Sequence, residues 1–534
     1  MEIQLLDCTL RDGGYINDWR FGKSAVICIL ERLIQANVDV IEVGFLDERQ
    51  PFDQDRTIQP DTDSYNKILS GIDRQKSLLV AMIDYGTCGL EHISRCEDSV
   101  LDGIRVIFKR PKMREAVQFG RELTKLGYKV FLQMVSITSY SDRDLLDFVD
   151  MVNEARPYAV SMVDTYGLMH KEEMLHYFHL LDYNLSPEIH IGYHSHNNFQ
   201  LAYANTCELI KRKAKHNILV DGTLYGIGKS AGNAPLELLA MYLNENCGKN
   251  YDLNQLLEAV DTNILRIYHQ KSWGYNLLYF LAASNDCHPN YIDYLLSKKT
   301  LSVGAINEIV KRIPLEEKLN YQQACIERLY IEFQKEKIAG EHSLQKLGSL
   351  LSDRPLLILG PGKSLHSCRK AIDAYIEGTR PMIVSVNFIP DIFTPSAVFI
   401  SNSKRYSMLL PELKQLRGQI SVIATSNIAA VGDSFDYVLN YAELIDENRL
   451  IEDNALILLL KTLCICKPAC VALAGFDGFG SRINESYYDD VMELSTNYGR
   501  LSAVNQAIAD RLPEFRTQME LTFLTPSLYE LEPS

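Results

Sequence analysis

The 534-residue chain has no uninterrupted apolar run of the length that crosses a bilayer. Its opening residues, MEIQLLDC, contain no basic segment followed by an apolar one, so a cytoplasmic protein with no membrane partner is expected. Excess positive charge is also missing. A formal net charge of -15 argues against a nucleic-acid or anionic-membrane surface, although local pockets for phosphate remain open. Nor are the cysteines arranged as a disulfide framework, since twelve of them are scattered singly through a long chain and read as free cytosolic thiols, mostly small core residues. Apolar residues are not scarce. At 46% of a chain this long they exceed what one core usually serves, so two domains are expected.

The first half repeats one pattern. Short apolar runs that read as strands sit at 3–7, 38–44, 78–84, 103–108, 129–134, 159–164, 188–194 and 218–222. Stretches with helical spacing lie between most of them, among them 24–36, 113–126, 171–181, 200–213 and 235–244. Eight such strands alternating with helices over roughly 250 residues predict a closed (β/α)8 TIM barrel over residues 1–300, in preference to an open doubly wound sheet.

In such a barrel the C-terminal strand ends converge on one face, and chemistry collects there. The residues at these ends are polar: Asp7 to Asp12 after the first strand, Glu42 in the second, Asp84 at the end of the third, Lys109 and Arg110 after the fourth, Asp164 at the end of the sixth, and His194 and His196 around the seventh. Within LDCTLRDGGYINDWR, Arg11 and Asp12 stand side by side before Gly13 and Gly14, so that a carboxylate could ligate a divalent metal while a guanidinium faces oxygen charge on a substrate. In GYHSHNN the period of two puts His194 and His196 on one side of an extended segment, within reach of a single ion. Asp12 with two imidazoles leaves coordination positions for substrate and suits Mn²⁺, Co²⁺ or Zn²⁺, with Mg²⁺ still sufficient. The glycine-rich stretch VDGTLYGIGKSAGNAPLELL leads into a helix at Pro235, and its Asn233 could cap that helix or add an amide oxygen to the metal.

The segments LDCTLRDGGY, IEVGF, VDTYG, GYHSHNN and VDGTLYGIGKSAGNAPLE together resemble the signature segments of the metal-dependent lyase and aldolase barrels, which include 4-hydroxy-2-oxoacid aldolase, 3-hydroxy-3-methylglutaryl-CoA lyase and the isopropylmalate and homocitrate synthases. The resemblance covers residues 1–300. It implies Asp12, His194 and His196 as metal ligands with Asn233 an occasional fourth, Arg11 as stabiliser of an enolate, and Glu42 as the residue that orients water or ligands near the metal. It is not specific for the substrate. One departure concerns Tyr15, which stands where the hydroxy-oxoacid aldolases carry a histidine that serves as general base. A phenol is a poor base at neutral pH. Either Tyr15 orients the substrate while another group takes the proton, or the metal and Arg11 lower its pKa; His269, Tyr275 and His288 are the other candidates.

Residues 301–351 read as a helical extension and linker, with an apolar stripe in 315–337 suited to packing or subunit contact, so a homo-oligomer is expected. Residues 352–534 read as a second, Rossmann-like α/β domain with strands at 355–359, 382–386, 397–401, 420–425, 435–439 and 469–478 and a helix at 366–376. Its GPGKSL turn is not a P-loop, because position 357 is leucine where that motif requires glycine. A phosphate or nucleotide held by Gly360, Gly362, Lys363 and Ser364 at the following helix is the expectation. The motifs LGPGKSL, VSVNF, VFISNS and LAGFDGFG faintly resemble bacterial sialyltransferases and related sugar-nucleotide domains over residues 355–500, which implies a nucleotide sugar or sugar phosphate as ligand. Cys464, Cys466 and Cys470 lack a second pair and read as buried thiols.

The expected function is divalent-metal-dependent carbon–carbon bond cleavage or formation between a 2-oxoacid and an aldehyde, the latter sugar-derived and part of carbohydrate biosynthesis. Acyl-CoA-dependent condensation or cleavage is the alternative within enzymes. A barrel turned into a non-catalytic scaffold is the alternative outside them.

Overall fold

A computed structural model of the protein describes residues 2–298, 301–318, 321–336, 342–428, 435–480, 485–489, 492 and 501–530. The chain forms two compact units, Met1–Pro289 and Asn290–Ser534.

In the first unit eight parallel strands close on themselves: β1 (Ile3–Asp7), β2 (Val40–Leu46), β3 (Leu78–Asp84), β4 (Gly103–Phe108), β5 (Lys129–Met134), β6 (Ala159–Asp164), β7 (His190–Ser195) and β8 (Ile218–Gly222). Closure is made on both sides of β1, by Ile3 opposite Ile218 through Asp7 opposite Gly222 and by Leu6 opposite Val40. A two-residue strand, Ile58–Gln59, is added outside β2. The second strand starts later than the apolar pattern suggested, because the N–H of Val38 still bonds the carbonyl of Leu33 in the turn that ends the preceding helix. Its register against β3 then slips between Glu42 and Phe45.

Side chains that alternate along the strands sort into layers. Leu6, Cys8, Val40, Val80, Phe131, Ala159 and Leu219 form one buried apolar cluster inside the barrel. Two residues on, the same faces of β2, β4, β5, β6 and β8 present Glu42, Arg105, Gln133, Ser161 and Asp221, all buried. The intervening residues, such as Leu5, Ile41, Ile104, Val130 and Val160, pack outward under the helices. The helix Asp142–Ala155 is typical of that outer ring. Ser141 and Asp144 form a reciprocal capping box at its start, Leu145, Phe148, Val149 and Val152 are buried, and Arg156 in the left-handed region ends it. Burying each of those four side chains stabilises by roughly 2 kcal/mol, so packing and not helix propensity holds the element.

In the second unit the seven strands among the described residues are all parallel: β9 (Pro355–Leu359), β10 (Met382–Val386), β11 (Ala397–Ile400), β12 (Ser421–Thr425), β13 (Tyr437–Leu439), β14 (Cys470–Ala474) and β15 (Leu521–Phe523), in the spatial order β13-β12-β11-β10-β9-β14-β15. The three-residue β15 was not foreseen, since its apolar run is too short to register as a strand. The strand order reverses between β9 and β14, which opens a crevice outside their C-terminal ends. The expected helix 366–376 is interrupted, with one turn at Ser364–Ser367 and a second helix at Arg369–Thr379. The helix His342–Leu351 packs on the helix Ala455–Cys466 and on β13, so this part of the stretch expected as a linker belongs to the compact second unit. Cys466 is buried, and burial pushes its thiol up to about 11. No helix among the described residues is long and apolar enough to cross a membrane.

The turn after β1 generates a pH-dependence. Asp7 is fully buried and accepts hydrogen bonds from the Thr9 N–H at 3.1 Å and the Thr9 hydroxyl at 2.6 Å. Burial outweighs those bonds and pushes its carboxyl up to about 7. The native state therefore holds a proton that the unfolded state has lost between about pH 4 and pH 7, and stability falls as pH rises through that window, by on the order of 4 kcal/mol in all. Both tryptophans, Trp19 and Trp273, lie in the first unit, so urea unfolding followed by tryptophan fluorescence reads the barrel alone. Asp7→Asn should flatten the decline in barrel stability between pH 5 and pH 7.5; an unchanged slope would refute the assignment.

Candidate active site

The site is built at the C-terminal end of the barrel by residues that leave the strands just above the polar layer. After β1 the chain makes one helical turn, Thr9–Asp12, pinned by the Trp19 indole N–H on the carbonyl of Arg11 at 2.8 Å and by the Thr57 hydroxyl on that of Leu10 at 2.6 Å. Arg11 and Asp12 thus face into the barrel and are buried. Arg11 donates from Nε to Glu42 Oε2 at 2.7 Å and from Nη1 to Asp12 Oδ1 at 2.6 Å. Burial alone would raise the Asp12 carboxyl, but Arg11, His196 and His194 outweigh it and hold it well below the usual carboxylate range.

His194 is the penultimate residue of β7 and His196 follows the strand; their rings lie 5.1 Å apart at 87°. His194 Nδ1 is 3.0 Å from Asp221 Oδ2, so that carboxylate fixes the ring proton on Nδ1 and leaves the Nε2 lone pair to the site. Burial drops the His196 pKa to about 3 against the pull of Asp12, so this imidazole is neutral and able to ligate. Ligand atoms of Asp12, His194 and His196 lie within 4.8 Å of one another. Asn233 is bridged to His196 through the backbone and donates its amide to Asp12 Oδ2 at 2.5 Å. The loop passes close enough that a Cβ on Gly228 would lie 2.1 Å from the Asn233 amide nitrogen and 2.4 Å from Asp12 Oδ2, so only glycine fits there.

Whether these residues suit a divalent cation can be judged from their unsatisfied atoms. His194 Nε2, His196 Nδ1 and Asn233 Oδ1 are buried and have no hydrogen-bond partner. Buried acceptors left open cost roughly 1–3 kcal/mol each, and three of them beside an ionised carboxylate form the donor set that a divalent ion satisfies. Two other groups of ligating side chains do not compete. Cys8, His194 and Asp221 are bonded among themselves, and burial holds the Cys8 thiol well above its ordinary value; Glu48, Glu91 and His92 lie at the surface.

Two residues at the heart of the site were not singled out from sequence. Arg105 is fully buried in β4 and donates from Nη2 to Asp221 Oδ2 at 2.5 Å and to Gln133 Oε1 at 3.1 Å, while its Nη1 lies 3.2 Å from Glu42 Oε2. Asp221, in β8, joins Arg105 to His194. The available signal was an arginine and an aspartate inside the otherwise apolar runs GIRVIF and ILVDG. Glu42 bonds Arg11 and Arg105 with one oxygen and leaves Oε1 buried without a partner.

Tyr15 lies at the mouth, 39% exposed, packed edge-on against Trp19 at 4.9 Å, with the Lys229 ammonium 5.6 Å from its ring centre. Burial, then the charge of Asp12, pushes its phenol up to about 12, away from the range of a base. Of the other candidates, His288 is close enough to Lys229 and Lys109 that their charges, after burial, lower its pKa. His269 sits in the helix Leu265–Gln270 against Tyr268, and Tyr275 is 61% exposed beside Phe280. Asp164 turns to the following loop, accepting from the N–H groups of Leu168 and Met169.

In the second unit Gly360, Gly362, Lys363 and Ser364 do follow β9, but the donors expected to hold an anion are occupied. Asp477, after β14, accepts from the Ser364 N–H at 2.8 Å and from the Ser364 hydroxyl, and a Cβ on Gly362 would lie 2.5 Å from its carboxylate. A neighbouring pocket of about 120 Å³ opens in the crevice between β9, β10 and β14, lined among others by Asn387, Arg405, Asn454, Phe476, Phe479 and Tyr529.

Residues 2–262 match the HMGL-like family model. Among curated proteins, the oxaloacetate decarboxylase of Mycobacterium tuberculosis is 25% identical over 263 residues, spanning 49% of this chain and 76% of that protein. A 4-hydroxy-2-oxovalerate aldolase of Pelotomaculum thermopropionicum is 28% identical over 267 residues, spanning 48% of this chain and 75% of that protein. Among solved structures, the hydroxymethylglutaryl-CoA lyase of Pseudomonas aeruginosa has a TM-score of 0.42 at 17% identity, over 56% of this chain and 97% of that one. With its closed parallel barrel and with Arg11, Asp12, His194 and His196 gathered at one mouth, the segment 2–262 of this chain belongs to the HMGL-like family.

Proposed function

We propose that the barrel is a divalent-metal-dependent aldolase, making or breaking the carbon–carbon bond between a pyruvate-like 2-oxoacid and an aldehyde. The observation that carries this reading is the convergence of three unsatisfied, buried acceptor atoms, His194 Nε2, His196 Nδ1 and Asn233 Oδ1, around the ionised carboxylate of Asp12. A divalent cation held by these residues supplies Lewis acidity toward an oxygen of the 2-oxoacid. Two imidazoles favour Mn²⁺ or Co²⁺, with Zn²⁺ and Mg²⁺ also compatible.

Arg11 supplies the second half of the chemistry. Its Nε and Nη1 are committed to Glu42 and Asp12, which fixes the plane of the guanidinium, and its remaining terminal nitrogen is left for the substrate oxygen that gains charge. One preorganised donor of this kind contributes on the order of 3 kcal/mol to lowering the barrier. The neutral Tyr15 phenol at the mouth orients the bound oxoacid by hydrogen bonding and does not remove its proton.

For the second unit we infer a small-molecule site at its strand-order reversal. A pocket of about 120 Å³ accommodates one sugar or nucleobase ring, and aromatic walls at Phe476, Phe479 and Tyr529 suit such a ring. Because Asp477 occupies the donors of Ser364, the anionic part of a sugar phosphate or nucleotide sugar would turn instead toward Arg405, which would place the aldehyde in carbohydrate assembly.

Metal analysis of the purified full chain should find one divalent ion per chain, lost in D12A and in H194A; a normal content in D12A would sink the ligand assignment. Incubation with pyruvate in D₂O and Mn²⁺ or Co²⁺ should exchange the methyl protons, and Arg11→Met should slow that exchange by roughly 100-fold while metal is retained. Failure of the wild type to exchange any short 2-oxoacid would favour acyl-CoA chemistry. Calorimetric titration of the full chain with CMP, UDP, UDP-sugars and sugar phosphates should reveal a ligand whose affinity falls at least about tenfold in Arg405→Met; binding of none of them would leave the second unit without a small-molecule role.

A further inference from the structure

The mouth of the barrel carries more positive charge than the oxoacid reaction uses. Lys229 lies in the glycine-rich loop after β8, and its N–H approaches Asp12 Oδ2 at 3.3 Å, so its backbone is fixed against the candidate metal site. Its ammonium makes no ion pair with that carboxylate within 4.0 Å, although the Asp12 charge acts on it. Its ammonium lies instead over the ring of Tyr15, 5.6 Å from the ring centre. Lys109 follows β4 on the same rim, close enough for the two ammonium groups to act on one another and on His288. Among the described residues neither ammonium makes an ion pair within 4.0 Å, although Asp84 lies near Lys109.

The charges can be counted. Asp12, Glu42 and Asp221 face Arg11 and Arg105 inside the site, and Asp84 and the two lysines lie at its rim. Those four carboxylates and four cationic side chains balance. A divalent ion at Asp12 then leaves an excess of two positive charges, and the carboxylate of a 2-oxoacid removes only one of them. The excess falls at the rim, where neither Lys229 nor Lys109 makes an ion pair within 4.0 Å among the described residues, in a chain whose overall balance is -15. A partly desolvated ammonium that feels the charge of a second one is unfavourable unless an anion joins them.

We propose that Lys229 and Lys109 bind an anionic group, a phosphate or a carboxylate, carried by the second substrate of the barrel at the end remote from its carbonyl. This rests on the aldolase reading and narrows it, since the aldehyde is then a short phospho- or carboxy-aldehyde and not a neutral alkyl one. A single charge-assisted contact of this kind discriminates by roughly tenfold or more against a neutral analogue.

The test is calorimetric titration of the Mn²⁺-loaded full chain with three unreactive probes: glycerol 3-phosphate, 4-hydroxybutyrate and glycerol. At least one charged probe should bind at least about tenfold more tightly than glycerol. Lys229→Met should remove most of that advantage, Lys229→Arg should restore it, and Lys213→Met, at an exposed lysine on the opposite end of the barrel, should leave it intact. The better of the two charged probes identifies the anion. No preference over glycerol, or a preference unaffected by Lys229→Met, overturns the proposal. Equal loss in Lys213→Met overturns it as well, because the effect would then be one of overall charge. Pyruvate exchange followed on the same preparations separates the two readings: exchange without an anion preference defeats this inference alone, whereas an anion preference that depends on Lys229, without exchange, defeats the aldolase reading and leaves the anion site standing.

Discussion

A buried run of alternating charges holds the barrel site together. From Asp12 it passes to Arg11, then Glu42, Arg105, Asp221 and His194, each contact between 2.5 and 3.2 Å and each side chain almost wholly removed from water. Its two ends, Asp12 and His194, are both candidate ligands for one ion, so a bound cation would close the run into a ring. Such an arrangement is a poor way to stabilise a fold, because desolvating six polar groups costs as much as their pairing returns. Its effect is to fix directions. Arg11 cannot rotate without abandoning Glu42, and the His194 ring cannot flip without abandoning Asp221. Removing one member would leave its neighbour charged and unpaired, at a cost of roughly 3–5 kcal/mol.

The two units differ in whether the polar atoms at their glycine-rich turns are left open. In the barrel the polar atoms around Asp12 are left unsatisfied, which is why they point to an ion. At the start of the Ser364 turn in the second unit the donors that would have faced an anion are already satisfied by Asp477. A glycine-rich turn after a strand is equally visible in both sequences, and what separates an open cradle from a filled one is a side chain 113 residues further along.

That contrast marks how far the sequence could be read. Barrel strands were legible because each combines a short apolar run with a polar end, and the HxH spacing by itself puts His194 and His196 on one side of an extended segment. Arg105 and Asp221 escaped notice because a charged residue within an apolar strand has no meaning until the strands on either side are known; only closure of the barrel brings Arg105 to Glu42 and Asp221 to His194. Tyr15 was legible as a departure at the place of the base, but the environment of its phenol depends on burial and on the charge of Asp12, which no spacing in the sequence shows. The second unit was legible as alternating strands and helices, and its shortest strand, three residues long, was not.

The layering inside the barrel has a consequence for how such a chain can diverge. Below the candidate ion site lies a plug of Leu6, Val40, Val80, Phe131 and Leu219, and above the plug Glu42, Arg105, Gln133, Ser161 and Asp221 on five strands are each tied to another. A single substitution among these residues is penalised whatever its chemistry, whereas Tyr15, Lys109 and Lys229 stand on the rim with few obligations to their neighbours. Selection for a new substrate would therefore act on three rim positions while the interior is inherited unchanged, and relatives that differ in substrate should differ first at the mouth.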